Sequence, residues 1–185
     1  VWGKVGIAIA PSDSRRVYAL IEADSGGLFR SDDGGATWTL ATADRALRQR
    51  AWYYTTLTVH PTNPNEVWFP QVPLLRTIDG GRTIEYMKGY RHGDHHDAWF
   101  DPQNPKRVVI ANDGGVEYSL DGGETWAWPL LPIAQFYHVS TDTRVPYDVA
   151  GAMQDIGTAQ GPSDSLASNG IVPGDYHHVG GGEHA

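Results

Sequence analysis

Apolar and polar positions alternate along this chain in short runs. VWGKVGIAIA (1–10) opens directly in strand-like alternation, with apolar residues two apart. The pattern then recurs in three similar stretches: IAIAPSDSRRVYAL (7–20), LTVHPTNPNEVWFP (57–70) and AWFDPQNPKRVVIA (98–111). Each reads as a short alternating strand, a turn built on Pro-x-Asp or Pro-x-Asn, and a second strand centred on valine. No stretch carries a sustained helical period, so the pattern predicts an all-β chain with almost no helix.

A second element follows each of these pairs. SDDGGATW (31–38), TIDGGRTI (77–84) and SLDGGETW (119–126) share Ser/Thr-x-Asp-x-Gly-x-Thr followed by a large apolar residue. Their aspartates, Asp33, Asp79 and Asp121, lie 46 and 42 residues apart. Gly35, Gly81 and Gly123 are placed to supply the positive φ of a tight turn. The carboxylates can accept N–H bonds inside their own turns, which gives the three aspartates a structural role. Trp38 and Trp126 are expected to bury against a neighbouring sheet. Ile84 replaces tryptophan in the second copy and should pack less while keeping the turn. A repeat of about 40–45 residues with four short strands per unit is the pattern of a β-propeller.

Composition narrows the partners. The 185 residues carry a formal net charge of −8, which leaves no basic stripe for a phosphate backbone, so nucleic acid is not an expected partner. No apolar run approaches the roughly 20 residues of a spanning helix, so membrane insertion is not expected. No signal peptide is visible in this stretch of sequence. There is no cysteine, hence no disulfide framework and no thiolate metal site. Seven Trp and nine Tyr are many for this length, and such residues line sugar and peptide clefts as well as cores.

The repeated turn resembles the Asp-box, or BNR, repeat of sialidases, xyloglucan-cleaving glycoside hydrolases and sortilin-type ectodomains. Longer stretches, among them LRQRAWYYTTL, HGDHHDAWFDPQNPKRVVIANDGGVEYSLDGGETW, PIAQFYHVSTD, PYDVAGAMQDIG and VGGGE, are similar to large bacterial BNR-repeat proteins described as glycosyl hydrolase-like or sortilin-like. The resemblance implies one propeller segment over 1–185: about three complete four-stranded blades, then a degenerate fourth unit over 133–185 that lacks an Asp-box. Such a segment belongs to a larger propeller of about seven blades. Its open edges would be covered by the remaining blades or by another copy of the chain. The resemblance also implies a secreted or periplasmic setting and a glycan or peptide ligand.

In a blade of this kind the Asp-boxes and Pro turns share one face. The loops entering each inner strand, and those joining the second strand to the third, share the other. HGDHHD (92–97) falls on that second face, directly before the third inner strand. Extended, it would point His92, Asp94 and His96 one way and His95 and Asp97 the other. Two imidazoles and a carboxylate on one side suit an open divalent-metal site. The same loop can instead supply acid–base chemistry or a polar layer. Arg50, Trp52, Tyr53, Gln135, Tyr137 and Gln154 reach the same face as candidate substrate-binding residues, with His92 and His96. Asp94, Asp155 and Glu183 are the candidate catalytic acids of a glycoside hydrolase-like site. Asn112, Asp113, His138, His177, His178 and His184 also fall there, although NDGG (112–115) can simply make a tight turn. A non-catalytic peptide- or glycan-recognition propeller and a metal-dependent hydrolase are the alternative functions.

Overall fold

We analysed a computed structural model, which describes residues 1–129, 131 and 133–182. The first sheet runs β1 (Val5–Ala10), β2 (Asp13–Ile21), β3 (Gly27–Ser31) and β4 (Thr39–Thr42), hydrogen-bonded in that order. The second repeats the arrangement with β5 (Thr58–Val59), β6 (Val67–Pro70), β7 (Leu74–Thr77) and β8 (Glu85–Tyr86). The third holds β9 (His95–Phe100), β10 (Val108–Asn112) and β11 (Gly115–Ser119). Its outermost member shrinks to one antiparallel bridge between Tyr118 and Ala127, which exchange two 2.8 Å backbone bonds. The degenerate fourth unit still forms a four-stranded sheet: β12 (Ser140–Thr141), β13 (Asp148–Met153), β14 (Gly157–Pro162) and β15 (His177–His178). Every pairing is antiparallel between neighbours in sequence, the meander of a propeller blade.

The chain divides into two compact units, Val1–Pro129 with the first three sheets and Leu130–Ala185 with the fourth. The first unit holds two cores, one on each side of the second sheet. Tyr18, Leu20 and Leu28 pack with Val67, Phe69 and Leu75 on one side. Trp68, Leu74 and Met87 pack with Phe100, Ile110 and Trp126 on the other. Successive side chains of a strand face opposite ways, so β6 sends Val67 and Phe69 into one core and Trp68 into the other. A strand covered on both faces is apolar throughout, which is why VWF shows no polar alternate.

The three Asp-boxes are built alike. Thr37, Thr83 and Thr125 each donate their amide and hydroxyl to the two oxygens of the aspartate four positions earlier. Ser31, Thr77 and Ser119 donate their hydroxyls to the same aspartates and accept the amides of Gly35, Gly81 and Gly123. The glycine before each of these donates its amide to a carbonyl within two residues of the start of the second strand of its sheet: Gly34 to Arg15, Gly80 to Asn65, Gly122 to Lys106. The turns therefore tie the outer half of each sheet to its inner half.

They also set the spacing between sheets. Gly81 has φ of 95°, and a Cβ there would lie 2.8 Å from Ala41 Cβ and Leu28 Cδ2 of the preceding sheet. A Cβ on Gly123 would meet Met87 and Trp68 in the same way. Trp126 buries as expected, and Ile84 packs at the edge of the first core. Trp38 does not bury. It is 41% exposed and donates its indole N–H to Gly35, because among the described residues of its unit no sheet precedes the first one. Ile7, Ile9 and Leu40 are exposed with it, while Ala8 and Ala10 face the core.

Candidate functional site

The face opposite the Asp-boxes is where the first unit gathers its polar and aromatic side chains. Four segments build it: the 45–57 stretch entering β5, the 71–73 turn between β6 and β7, the 91–94 loop entering β9, and the 113–114 turn between β10 and β11.

The first of these begins in a 3-10 turn, Arg45–Arg48, capped by Asp44. It then folds on itself, with the amides of Tyr53 and Tyr54 both donating to the Arg50 carbonyl. Two adjacent tyrosines cannot share an environment in such a turn. Tyr54 is buried and Tyr53 and Trp52 are exposed. Gln71 donates its side-chain amide to the Tyr54 carbonyl and so fixes the turn to the second sheet.

The HGDHHD loop does not run extended. Asp94 has φ of 54°, in the left-handed region, and a bulge follows: Asn112 pairs with His95 while Ala111 pairs with Asp97, leaving His96 as the extra residue. The expected alternation of His92, Asp94 and His96 on one side fails for that reason. His95 is driven fully inside, where its Nδ1 lies 3.1 Å from the Gln71 carbonyl and its ring meets the edge of Tyr90. Burial lowers its pKa, which keeps the ring neutral. His92 turns the other way: its Nδ1 lies 3.0 Å from the Gly93 carbonyl, and its ring fills the space where a Cβ on Gly114 would sit. Among the described residues no three His, Cys, Asp or Glu side chains are grouped so as to hold a metal ion. The triad His92, Asp94 and His96 is therefore not assembled here as a metal site.

A different set comes together. Asp94 accepts a 2.8 Å bond from the Tyr54 hydroxyl and a 3.2 Å contact from the Arg50 guanidinium, both on Oδ1. Burial raises the Tyr54 pKa, and the Asp94 carboxylate beside it raises it further, so this phenol stays a donor. His96 Nε2 lies 2.6 Å from Asp113 Oδ1. The His96 ring is flanked by Tyr53 and Tyr54, with ring centroids 5.5 and 5.2 Å away. Asp94, Asp113, His96, Arg50, Tyr53 and Tyr54 thus meet at one rim, drawn from three segments separated by up to about 60 residues of chain. The arrangement can position two carboxylates and an imidazole beside an exposed aromatic surface.

Beneath the rim lies a carboxylate that sequence reasoning missed. Glu117, 3% exposed, accepts the amides of Arg91 and His92 and the side-chain amide of Asn112. Asn112 also donates to the His92 carbonyl and accepts the Gly114 amide. One buried acid thereby fixes both the 91–94 loop and the 113–114 turn. Its signal was available: Glu117 sits in the middle of the five-residue strand GVEYS, on the side shared with buried Ser119.

In the second unit, Gln154 donates its amide to the Gln135 carbonyl, and Tyr137 donates to Ala152, so these candidates share one end of the fourth sheet. Asp155 is there too, with φ of 60°. Glu183 and His184 lie outside the described residues.

Comparison with known proteins bears on the fold. A family model described as the BNR/Asp-box repeat matches residues 29–40 and 117–127. A curated relative, the probable oligoxyloglucan-reducing end-specific xyloglucanase of Neosartorya fischeri, is 25% identical over 140 residues, covering 67% of this chain and 17% of the relative. The GH74 enzyme of Niastella koreensis superimposes with a TM-score of 0.52 at 17% identity, over 88% of this chain and 28% of that one. The GH74 xyloglucanase of Xanthomonas campestris gives 0.50 at 18% identity, over 84% and 28%. This chain therefore spans less than a third of the length of each. Three turns are hydrogen-bonded alike and two of them match the family model, so the chain carries BNR/Asp-box repeats in sheets that meander as propeller blades do.

Proposed function

We propose that the rim of the first unit binds a carbohydrate and acts on it in the manner of a glycoside hydrolase, with Asp94 and Asp113 as its working carboxyl groups. The observation that carries this reading is the meeting of both acids with His96 and the Tyr53–Tyr54 pair. Carboxylates supply the acid and base of glycoside cleavage, and exposed aromatic faces give a sugar ring its apolar contact. The Tyr54 hydroxyl and Arg50 hold Asp94 Oδ1 in place, in the position of a base or nucleophile. Asp113 orients His96, and a protonated His96 can deliver a proton to a leaving oxygen. The likeness to xyloglucanases supports the same class of ligand. Asp155 belongs to the second unit, so the reading rests on Asp94 and Asp113.

Two further parts of the reading follow. A polymeric glycan is met outside the cell, which favours a secreted or periplasmic protein. The exposed face of the first sheet, with Ile7, Ile9, Trp38 and Leu40, is the face that a preceding sheet covers elsewhere in the unit. A further blade, from the same polypeptide or another copy, would cover it.

The test is release of reducing ends from xyloglucan and related β-glucans by purified protein. Asp94→Asn and Asp113→Asn should each abolish release while leaving the thermal unfolding midpoint near that of the parent. Unchanged activity in both variants would remove the rim from the chemistry.

A further inference from the structure

The connection leaving the third strand of a sheet is an Asp-box in the first three sheets and a plain loop, 163–176, in the fourth. Each Asp-box contains an Asp-Gly pair, and the loop contains Asn169 followed by Gly170. Such pairs share one chemistry. The glycine amide nitrogen, with no Cβ beside it, can close a succinimide ring on the side-chain carbonyl carbon of the residue before it. Hydrogen bonds decide whether it does. In the Asp-boxes the glycine amides are committed to Arg15, Asn65 and Lys106, and the threonine four residues on holds both carboxylate oxygens. The fourth sheet lacks both restraints. Asn169 and Gly170 are exposed, and among the described residues no hydrogen bond holds the Asn169 side chain. The Gly170 amide donates to Ala167, inside the same turn, and a Cβ on Gly170 would meet nothing within 4 Å.

We infer that Asn169 is a site of spontaneous deamidation, a modification that the Asp-box hydrogen bonds bar from the equivalent turns of the other sheets. The Gly170 nitrogen attacks Asn169 Cγ. The N–Cγ bond forms, the Cγ–Nδ2 bond breaks, and the side-chain amino group leaves as ammonia with the proton that the Gly170 nitrogen gives up. Water then opens the succinimide. Opening at Cγ leaves an aspartyl residue at position 169. Opening at the backbone carbonyl carbon leaves an isoaspartyl residue, whose main chain runs through Cγ. Either product adds a negative charge to a chain already at −8. The isoaspartyl product also adds a backbone carbon to the loop that brings β15 to β14. The other four asparagines are closed to this reaction. Asn63 and Asn104 precede proline, which has no N–H to lose. Asn65 accepts the Arg16 guanidinium at 2.6 Å, and the Glu66 amide after it bonds the Asn63 carbonyl. Asn112 is buried, with its side chain bonded to Glu117 and Gly114.

Incubation of the folded protein at mildly alkaline pH, followed by peptide mapping with mass spectrometry, tests this. Deamidation should appear at Asn169 at least about tenfold faster than at Asn65 or Asn112, which must first give up hydrogen bonds. Asn169→Gln, which would have to close a larger ring, should remove the acidic species that accumulates on ion exchange. Isoaspartate at Asp33, Asp79 and Asp121 should form more slowly in the folded protein than in the chain held unfolded in urea. An Asn169 that stays intact in the folded protein while the unfolded chain loses it would overturn the inference. Equal isoaspartate rates, folded and unfolded, would overturn the protection assigned to the Asp-boxes.

Discussion

Trp38 and Trp126 occupy the same position of the same motif, and the structure gives them opposite fates. Replacing each with alanine is therefore an internally controlled experiment. Trp126 is 9% exposed and packs edge-on to Trp68, with centroids 6.2 Å apart, in the core that also holds Met87 and Phe100. Truncating a buried tryptophan costs about 3–5 kcal/mol from lost transfer energy and the cavity left behind. Among the described residues its indole N–H has no partner, so the substitution also removes a buried donor that was itself unfavourable, which places the expected loss near the lower end. Trp38, largely exposed, has one hydrogen bond to lose, its 2.9 Å bond to Gly35, and should cost about 1 kcal/mol. Urea unfolding of the two variants and the parent, with unchanged slope, should thus separate them by about 2 kcal/mol. Equal losses would refute the placement of Trp126 between two sheets. An equally large loss at Trp38 that depended on protein concentration would show that another copy covers the first sheet.

Other consequences follow from the same contacts. The Thr37 hydroxyl and amide hold Asp33 at about 2; burial pushes Asp79 up, but the Thr83 amide and hydroxyl outweigh it and also leave it at about 2. Both values lie below those of the unfolded chain, so the stability they contribute is complete above about pH 4 and is lost as pH falls toward 2. Asp79→Asn should flatten that acid limb, followed by circular dichroism, and a limb unchanged in shape would exclude these turns as its source. Gly81→Ala should destabilise more than Gly35→Ala in thermal melts. Both have φ of 95°, but only the first also drives a Cβ into Ala41 and Leu28. Glu117→Ala leaves the backbone amides of Arg91 and His92 without their acceptor and takes one of two acceptors from the Asn112 side chain, and should cost about 1–3 kcal/mol for the first of them alone. It should also weaken glycan binding, and a variant that bound normally would show that the rim does not depend on this buried acid.

The parts of the molecule that were legible in the sequence are those decided locally. Each Asp-box satisfies its aspartate within four residues, so the motif predicts its own hydrogen bonds. The order of strands fixed which loops share a face, and Arg50, Tyr53, Asp94 and His96 do meet there. Orientation was not legible, because it depends on distant pairing. The bulge at His96 is set by how β9 meets β10, and the left-handed Asp94 by the Val72 carbonyl that accepts its amide. Both features turned an expected row of ligands into separate partnerships, with His95 inside and His96 on Asp113. Trp38 is the same lesson in packing: the motif specifies the turn, while burial depends on whether a sheet lies beside it. Asp113, readable as a tight-turn residue, does make the turn and reaches His96 as well.

Ligand that binds at the rim must shield the loops of the second and third sheets that build it. Hydrogen–deuterium exchange with and without saturating xyloglucan oligosaccharide addresses it directly. Protection should concentrate in residues 50–57, 91–97 and 112–115, with the Asp-box turns at 31–38, 77–84 and 119–126 unchanged. Protection confined to those turns, or none in the rim segments under conditions where binding is measured independently, would contradict it.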